Sequence, residues 1–257
     1  MQSNVNAQSL DLFGNDVKKY NLKGNVKEII EIQQQTSDTI TILRYNQKGQ
    51  LIYSRVLTAY DEFEYIIDEF EYKYDSRGNM RHEIGLFERS ENKFDIRGNL
   101  IEHKFGITDD DFFGKWTYKY DNNNNQIERT GYIGNNFVER WKHVYNDNNQ
   151  RIKELMVDED VDSTIYIMRY FEYDHNGNVI RQQYISYQGN KGEWNDFFKY
   201  DENNNRVEWK RIDNDEYEET ELHEYESDEN GNWIKKKRLQ DNILIELSKR
   251  VIGYWTY

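Results

Sequence analysis

The sequence predicts an all-β fold: tandem antiparallel β-hairpin repeats forming one long twisted or curled meander sheet, a repeat protein. Three observations carry that expectation. A ten-residue phrase returns along the chain, as YKYDSRGNMR (72–81), NKFDIRGNLI (92–101) and FEYDHNGNVI (171–180). One column inside the phrase holds only Gly or Asn. The residues leading into it alternate as strands do.

Composition comes first, because it bounds the rest. The chain has 257 residues, 36% hydrophobic, with a mean hydropathy of -1.08. Aromatic residues nevertheless reach 15%, including 21 Tyr, and disordered chains lack such residues. The chain therefore folds around a thin, aromatic core. It contains no Pro and no Cys, which removes disulfides, thiolate zinc sites and cysteine nucleophiles. Lys and Arg number 34 against 48 Asp and Glu, a net charge of -14 that repels a phosphate backbone, so nucleic acid is not an expected partner. No run of about 18 apolar residues occurs, and no membrane span is expected on that ground.

Aligning the phrase on its aromatic or equivalent position gives nine copies, anchored at Tyr20, Tyr45, Tyr74, Phe94, Tyr120, Tyr145, Tyr173, Tyr200 and Ser227. Four residues later stand Gly24, Gly49, Gly78, Gly98, Asn124, Asn149, Gly177, Asn204 and Gly231. Gly and then Asn enter the left-handed region most cheaply, so this column is a structural turn position with positive φ. The next column holds side-chain amides throughout, among them Asn79, Asn99 and Gln150, which implies a recurring hydrogen bond to a neighbouring turn or to backbone. The entry side alternates aromatics, as in Trp116, Tyr118 and Tyr120, and the exit side usually places an aliphatic seven after the anchor, with Lys27 and Arg81 as exceptions. Beyond that position the alternation blurs, and bulges are expected there. Residues 17–257 thus read as a single domain of about nine hairpin repeats. Residues 1–16 read as an N-terminal leader; Val5-Asn6-Ala7 before Gln8 fits the small-residue spacing of a signal-peptidase site without the charged and apolar segments that precede one, so the leader is either a remnant of a trimmed signal peptide or a disordered segment with a chance small residue.

The pattern F-x-Y-x-Y-D-x-x-G-N at Phe70 to Asn79, with YKYDNNNN (118–125) and FEYDHNGN (171–178), resembles the YD repeats of Rhs-type proteins. The resemblance runs over nearly the whole chain and implies hairpin repeats, which in large members wind into a hollow shell around a toxin. The chain departs from those members in being short and in lacking the Pro-containing motif that closes their shells. A short stand-alone member is the implied reading, and the hairpins are also similar to those of MORN-type scaffolds.

Candidate chemistry is thin. The turns Asp174 to Asn178 and Asp228 to Asn232 carry oxygen ligands at alternate positions but miss the EF-hand spacing, so turn chemistry is preferred to calcium, and no cofactor or metal is expected. His82, His103, His143, His175 and His223 form no metal-type or triad-type spacing. Acidic runs at 109–111, 158–162 and 213–221 read as solvated loops and edges. Lys235 to Arg238 is the one basic run, and strand alternation splits it between two faces. Trp116, Trp141 and Trp194 sit at even offsets before their anchors and should share a face; an open face makes them a binding platform for sugars or a protein, a buried one makes them core, the preferred reading.

The expected function is a non-enzymatic binding or scaffold protein, exported to the periplasm or cell surface, with a protein or glycan partner. The alternative is an acidic cytoplasmic immunity or antitoxin-type protein that masks a toxin, and a third reading, a carbohydrate-active enzyme, needs a cleft with paired carboxylates.

Overall fold

The computed structural model describes residues 22–34, 39–60, 64–85, 88–108, 111–157, 165–187, 192–213 and 217–256. The 1–16 leader, with its Val5–Ala7 site, and most of the acidic runs lie outside these residues. Eighteen strands follow in order: β1 (Val26–Gln34), β2 (Thr39–Tyr45), β3 (Leu51–Tyr60), β4 (Glu64–Tyr74), β5 (Met80–Gly85), β6 (Arg89–Phe94), β7 (Leu100–Thr108), β8 (Asp111–Tyr120), β9 (Gln126–Ile133), β10 (Asn136–Tyr145), β11 (Arg151–Val157), β12 (Ile165–Tyr173), β13 (Val179–Ser186), β14 (Gly192–Tyr200), β15 (Arg206–Asp213), β16 (Tyr217–Ser227), β17 (Trp233–Gln240) and β18 (Ile243–Tyr254).

Each strand pairs antiparallel with its sequence neighbours, and β1 also pairs with β18 from Val26↔Tyr254 to Gln34↔Leu247. That pairing corrects the expected fold: the all-β hairpin architecture holds, but the sheet is a closed 18-stranded barrel and not a twisted or curled meander. Right-handed strand twist bends a long sheet towards itself, and closure removes the two edges a meander would leave unpaired. The repeat pattern alone could not reveal closure, because Ile29 and Ile30 lie far from Ile252 in sequence and all three stand outside the repeated phrase. At about 4.8 Å per strand and a tilt of about 35–45°, the wall has a perimeter of roughly 110–120 Å.

The repeated phrase builds one rim. In the turn after β4, Asp75 N–H donates to Asn79 O at 2.9 Å and Gly78 N–H to Asp75 O at 3.0 Å. The Asp75 carboxylate accepts from the backbone N–H of Arg77 and of Asn79 and from the Asn79 side-chain amide. The positive-φ column contains Gly78 at 90°, Gly98 at 86° and Asn124 at 66°. Where Asp is replaced by Asn, the amide partner lengthens to Gln: Asn46 Nδ2 donates to Gln50 Oε1 and Asn146 Nδ2 to Gln150 Oε1, both at 2.9 Å. Neighbouring turns are joined by Asn99 Nδ2 to Asn124 Oδ1, Asn125 Nδ2 to Asn149 Oδ1 and Asn178 Nδ2 to Asn204 Oδ1, at 2.9–3.1 Å.

The register slips at the anchor itself, for example between Lys119/Tyr120, Val144/Tyr145 and Lys199/Tyr200. The bulge therefore falls at the aliphatic column, earlier than the sequence implied, and turns residues such as Ile127 outward. It also leaves a carbonyl for the next anchor: Tyr145 Oη donates to Gln126 O, Tyr173 Oη to Arg151 O and Tyr200 Oη to Val179 O, at 2.7–3.0 Å.

Register sorts the side chains into two walls. One holds Ile29, Tyr45, Asn92 and Ser248, none more than 1% exposed; crowding of this kind belongs to the concave side, where side chains converge. The convex side carries Val144, Leu222 and Val251, exposed at 37–67%. On the convex side near the turn rim, directly opposed residues form ion pairs: Lys93–Glu102, Lys119–Glu128 and Lys199–Glu208, at 2.7–2.9 Å. Such exposed pairs stabilise by roughly 0.2–1 kcal/mol each.

The aliphatic core sits at the seam, where Leu22, Val26, Ile29, Leu43, Tyr45 and Leu51 cluster with Tyr72, Ile252 and Tyr254. The remaining inner wall is built differently.

Candidate ligand site on the inner wall

From β8 to β15 the inner wall is a band of planar rings and guanidinium groups. It begins where a small residue lets a ring lie flat. Gly131 faces Trp116 across β8 and β9, and a Cβ there would stand 2.5 Å from Trp116 Cζ3. Phe105 lies over Gly114 and Phe70 over Gly85 in the same way. Over Trp116 stacks Arg129, 4.5 Å from the ring centroid, and Arg129 also faces Trp141 at 5.7 Å. Arg169 lies between Trp141 at 4.9 Å and Tyr184 at 5.5 Å. Tyr184 stacks on Trp194 at 3.7 Å, and Arg211 stands 5.1 Å from both Trp194 and Trp209.

Each arginine has a carboxylate. Arg211 holds Asp196 in a fork, Nε to Oδ1 at 2.8 Å and Nη2 to Oδ2 at 3.0 Å, while Trp209 Nε1 donates to the same Oδ1. Arg169 Nη1 donates to Glu154 Oε2 at 3.3 Å, and Arg129 lies 3.5 Å from Glu139, which also accepts from Trp141 Nε1. Burial alone would raise the Glu154 carboxyl, but the contact with His143 and the charges of Arg151 and Arg169 outweigh it and hold the group down at about 2. Glu154 therefore stays ionised near neutrality and is a poor proton donor.

Burial divides two of the pairs unequally. The Glu154 and Asp196 side chains are each 7% exposed, whereas Arg169 and Arg211 keep 33% and 36%; Arg129 and Glu139 are alike, at 25% and 28%. Guanidiniums on a concave wall stay that accessible only if the barrel encloses solvent. The wall thus shows the Arg169 and Arg211 guanidiniums to a hydrated lumen and keeps Glu154 and Asp196 behind them.

The structure places Trp116, Trp141 and Trp194 on this one wall, on β8, β10 and β14, bridged by residues the sequence reading did not single out. Trp141 is 7% exposed, and the other two are half-buried. The arginines were missed because they take no fixed offset from the anchor. Strand parity was the available signal, since Arg129 shares the face of Gly131 and Arg211 that of Trp209. The basic run divides as strand alternation implies. Lys236 and Arg238 face inward to Glu246, and Lys235 and Lys237 outward to Glu226 and Glu224. Of the histidines, burial pushes His103 down to about 4, and Asn92 Oδ1 lies 2.8 Å from its Nδ1. His223 is also pushed down to about 4, by burial and then by Arg206, Lys236 and Arg238. Among the described residues no group of three or more His, Asp or Glu is arranged to hold a metal. The turn carboxylates spend their oxygens within their own turns, and hydrogen bonds, led by the Asn79 and Asn99 backbone N–H groups and by the Asn178 side-chain amide, lower Asp75, Asp95 and Asp174 below the usual range.

No family model matches the chain, so the resemblance to YD repeats is not confirmed, and no curated protein matches either. Solved structures do. A porin-like protein from Bacteroides uniformis aligns at TM-score 0.50 and 12% identity over 90% of this chain and 99% of its own. A porin-like protein from Bacteroides vulgatus covers the same shares at TM-score 0.39, and TcdB2-TccC3 with Cdc42 aligns at 0.42 over 87% of this chain and 15% of its own; neither carries weight for the fold. The similarity to the first extends to fold alone, that of a porin-like barrel. The expectation of no membrane span is corrected here. Among the described residues no helix is long and apolar enough to cross a membrane, but a closed antiparallel barrel is the architecture that crosses by its strands, so the exclusion drawn from missing apolar runs does not hold.

Proposed function

We propose that the chain is a hollow, non-enzymatic binding barrel of a bacterial cell envelope that takes its ligand on the inner wall. The observation that supports it most is the hydrated arginine and tryptophan band inside a closed ring. A wall meant only as core would bury apolar side chains, as the seam does. Here charged groups are fixed in place by stacking and ion pairing, which is how a site is preorganised before a ligand arrives. The enzyme reading finds no support in the band, since Glu154 is held ionised and Asp196 is occupied by the Arg211 fork. An envelope location follows the porin-like fold and the hairpin motif of exported proteins.

A second reading, a solute conduit seated in a membrane, is favoured by the strand number, because barrels of 16–18 strands leave an aqueous channel. The convex ion pairs weigh only lightly against it. A nine-residue strand tilted about 40° rises roughly 23 Å, close to the apolar band of about 25 Å on such barrels, so a charged ring at the turn rim would sit near the interface at a cost of about 0–1 kcal/mol per Lys, rising to about 2–4 kcal/mol only for charges at the midplane.

Quenching of the intrinsic tryptophan fluorescence by acrylamide and by iodide, together with a glycan array on the folded barrel, tests the first reading. Iodide quenching well above that of acrylamide, with ligand capture, supports a cationic open lumen. Tryptophans silent to both quenchers, with no ligand on the array, contradict it. Release of a trapped dye from vesicles after reconstitution would shift the account to the conduit.

A further inference from the structure

Resting on the inner-wall reading above, the geometry points to an acidic oligosaccharide as the ligand, bound along the lumen across the guanidiniums of Arg129, Arg169 and Arg211. These three stand on β9, β12 and β15, three strands apart each time, and the rings they share draw them closer than strand spacing alone would: Arg129 and Arg169 meet on Trp141 and so lie at most about 11 Å apart, and Arg211 follows through Tyr184 and Trp194 at no more than about 14 Å. The faces of the intervening rings are already taken: Trp141 lies between Arg129 and Arg169, and Trp194 between Tyr184 and Arg211. What remains for a ligand is ring edges and guanidinium edges. Aromatic edges carry the positive side of the ring quadrupole, and guanidinium N–H groups are donors only, so both select oxyanions. Arg211 commits Nε and Nη2 to Asp196 and keeps Nη1 outside that fork. The wall already binds carboxylate this way, and the same planar geometry suits a sugar acid.

Charge density chooses the saccharide over a denser polyanion. The chain carries -14 overall, and a polymer with a charge on every unit at close spacing is repelled before it reaches the lumen. A chain whose acid groups are separated by neutral units meets the spaced arginines and lays its hydroxyl and C–H surfaces on the ring edges between them.

The test is calorimetric titration of the folded barrel with a hyaluronan hexasaccharide, whose uronic acids alternate with neutral sugars, a neutral oligosaccharide of equal length, and polyphosphate. The central variant is Arg211→Gln/Asp196→Asn, which removes the pair together so that no buried charge is orphaned and leaves an oxygen for Trp209 Nε1. Arg169→Lys keeps charge while losing the planar fork. The expected result is binding of the acidic oligosaccharide that weakens with salt, falls about tenfold or more in the double variant, and falls less in Arg169→Lys. Equal binding by wild type and double variant, or preference for the neutral sugar or polyphosphate, overturns the assignment. If none of the three probes binds while iodide still quenches the tryptophans, the ligand class is wrong and the hollow-barrel reading stands; if quenching fails too, both fall.

Discussion

Gly131→Ala is the smallest change that tests how the inner band is packed. The added Cβ would lie 2.5 Å from Cζ3, 2.7 Å from Cη2 and 3.0 Å from Cε3 of Trp116, so the indole must move by about 1 Å to reach ordinary contact near 3.5–4.0 Å. Moving it displaces the ring from Arg129, now 4.5 Å from its centroid. Overpacking of this kind costs about 1–3 kcal/mol, and a partly exposed cation–π contact contributes about 0.5–1 kcal/mol more. Replacing a strand glycine returns roughly 0.5–1 kcal/mol, which leaves a net loss of about 1–3 kcal/mol. Gly134→Ala is the control, because nothing lies within 4 Å of its Cβ and only its φ of 59° opposes the change. Urea unfolding followed by tryptophan fluorescence reads both, and the Gly131 variant should show a lower midpoint and an altered native emission. A Gly131→Ala protein as stable as wild type, with unchanged emission, would refute the reasoning.

Gly98→Val should lower the urea midpoint by the equivalent of roughly 1 kcal/mol or more, because a β-branched residue resists a φ of 86° even though a Cβ there would meet only Asn79 Oδ1, at 3.7 Å; an unchanged midpoint counts against the turn geometry. Asn92→Ala removes a residue 1% exposed whose Nδ2 donates to Met80 O at 3.0 Å and whose Oδ1 faces His103. It should cost about 1–3 kcal/mol through orphaned partners, and a loss within error in urea titration would count against that network. Acid should destabilise the barrel in a defined window. His103 and His223, lowered to about 4, stay neutral when folded while the unfolded chain protonates near 6.5, so their contribution is whole above 6.5 and is lost as the pH falls towards 4. For His103 alone the loss is about 3 kcal/mol. Glu154, depressed to about 2, adds a second loss between 4.5 and 2, and a urea midpoint equal at pH 7 and pH 4.5 would contradict this.

The turn rim was legible in the sequence because its physics is local. A positive φ at Gly78 and an amide at Asn79 are demands of five residues, and nine copies make the demand visible. The coupling of Asp75 with Asn79, and of Asn46 with Gln50, was written there as well, but as a pairing of columns and not as a column. The inner band was legible only in its tryptophans. Arg129, Arg169 and Arg211 meet their rings through strand parity and cross-strand register, which the bulge at each anchor shifts by one residue. Of closure only the tendency of so long a sheet to curl was legible, since the ring itself depends on β1 and β18 meeting in space, and membrane contact cannot be read from missing apolar runs when strands and not helices form the wall.

The central claim is that this wall is closed, and the absence of cysteine makes it directly testable. Ile30 and Val251 are Cα partners across the β1–β18 seam, on the convex side, so Ile30→Cys/Val251→Cys introduces the only two thiols in the chain. Oxidation followed by non-reducing electrophoresis should give near-complete conversion to a compact intramolecular species, with a raised urea midpoint, because the bond closes a loop of more than 200 residues. Free thiols or intermolecular dimers in a folded protein would mean that the seam is open and the sheet has two edges.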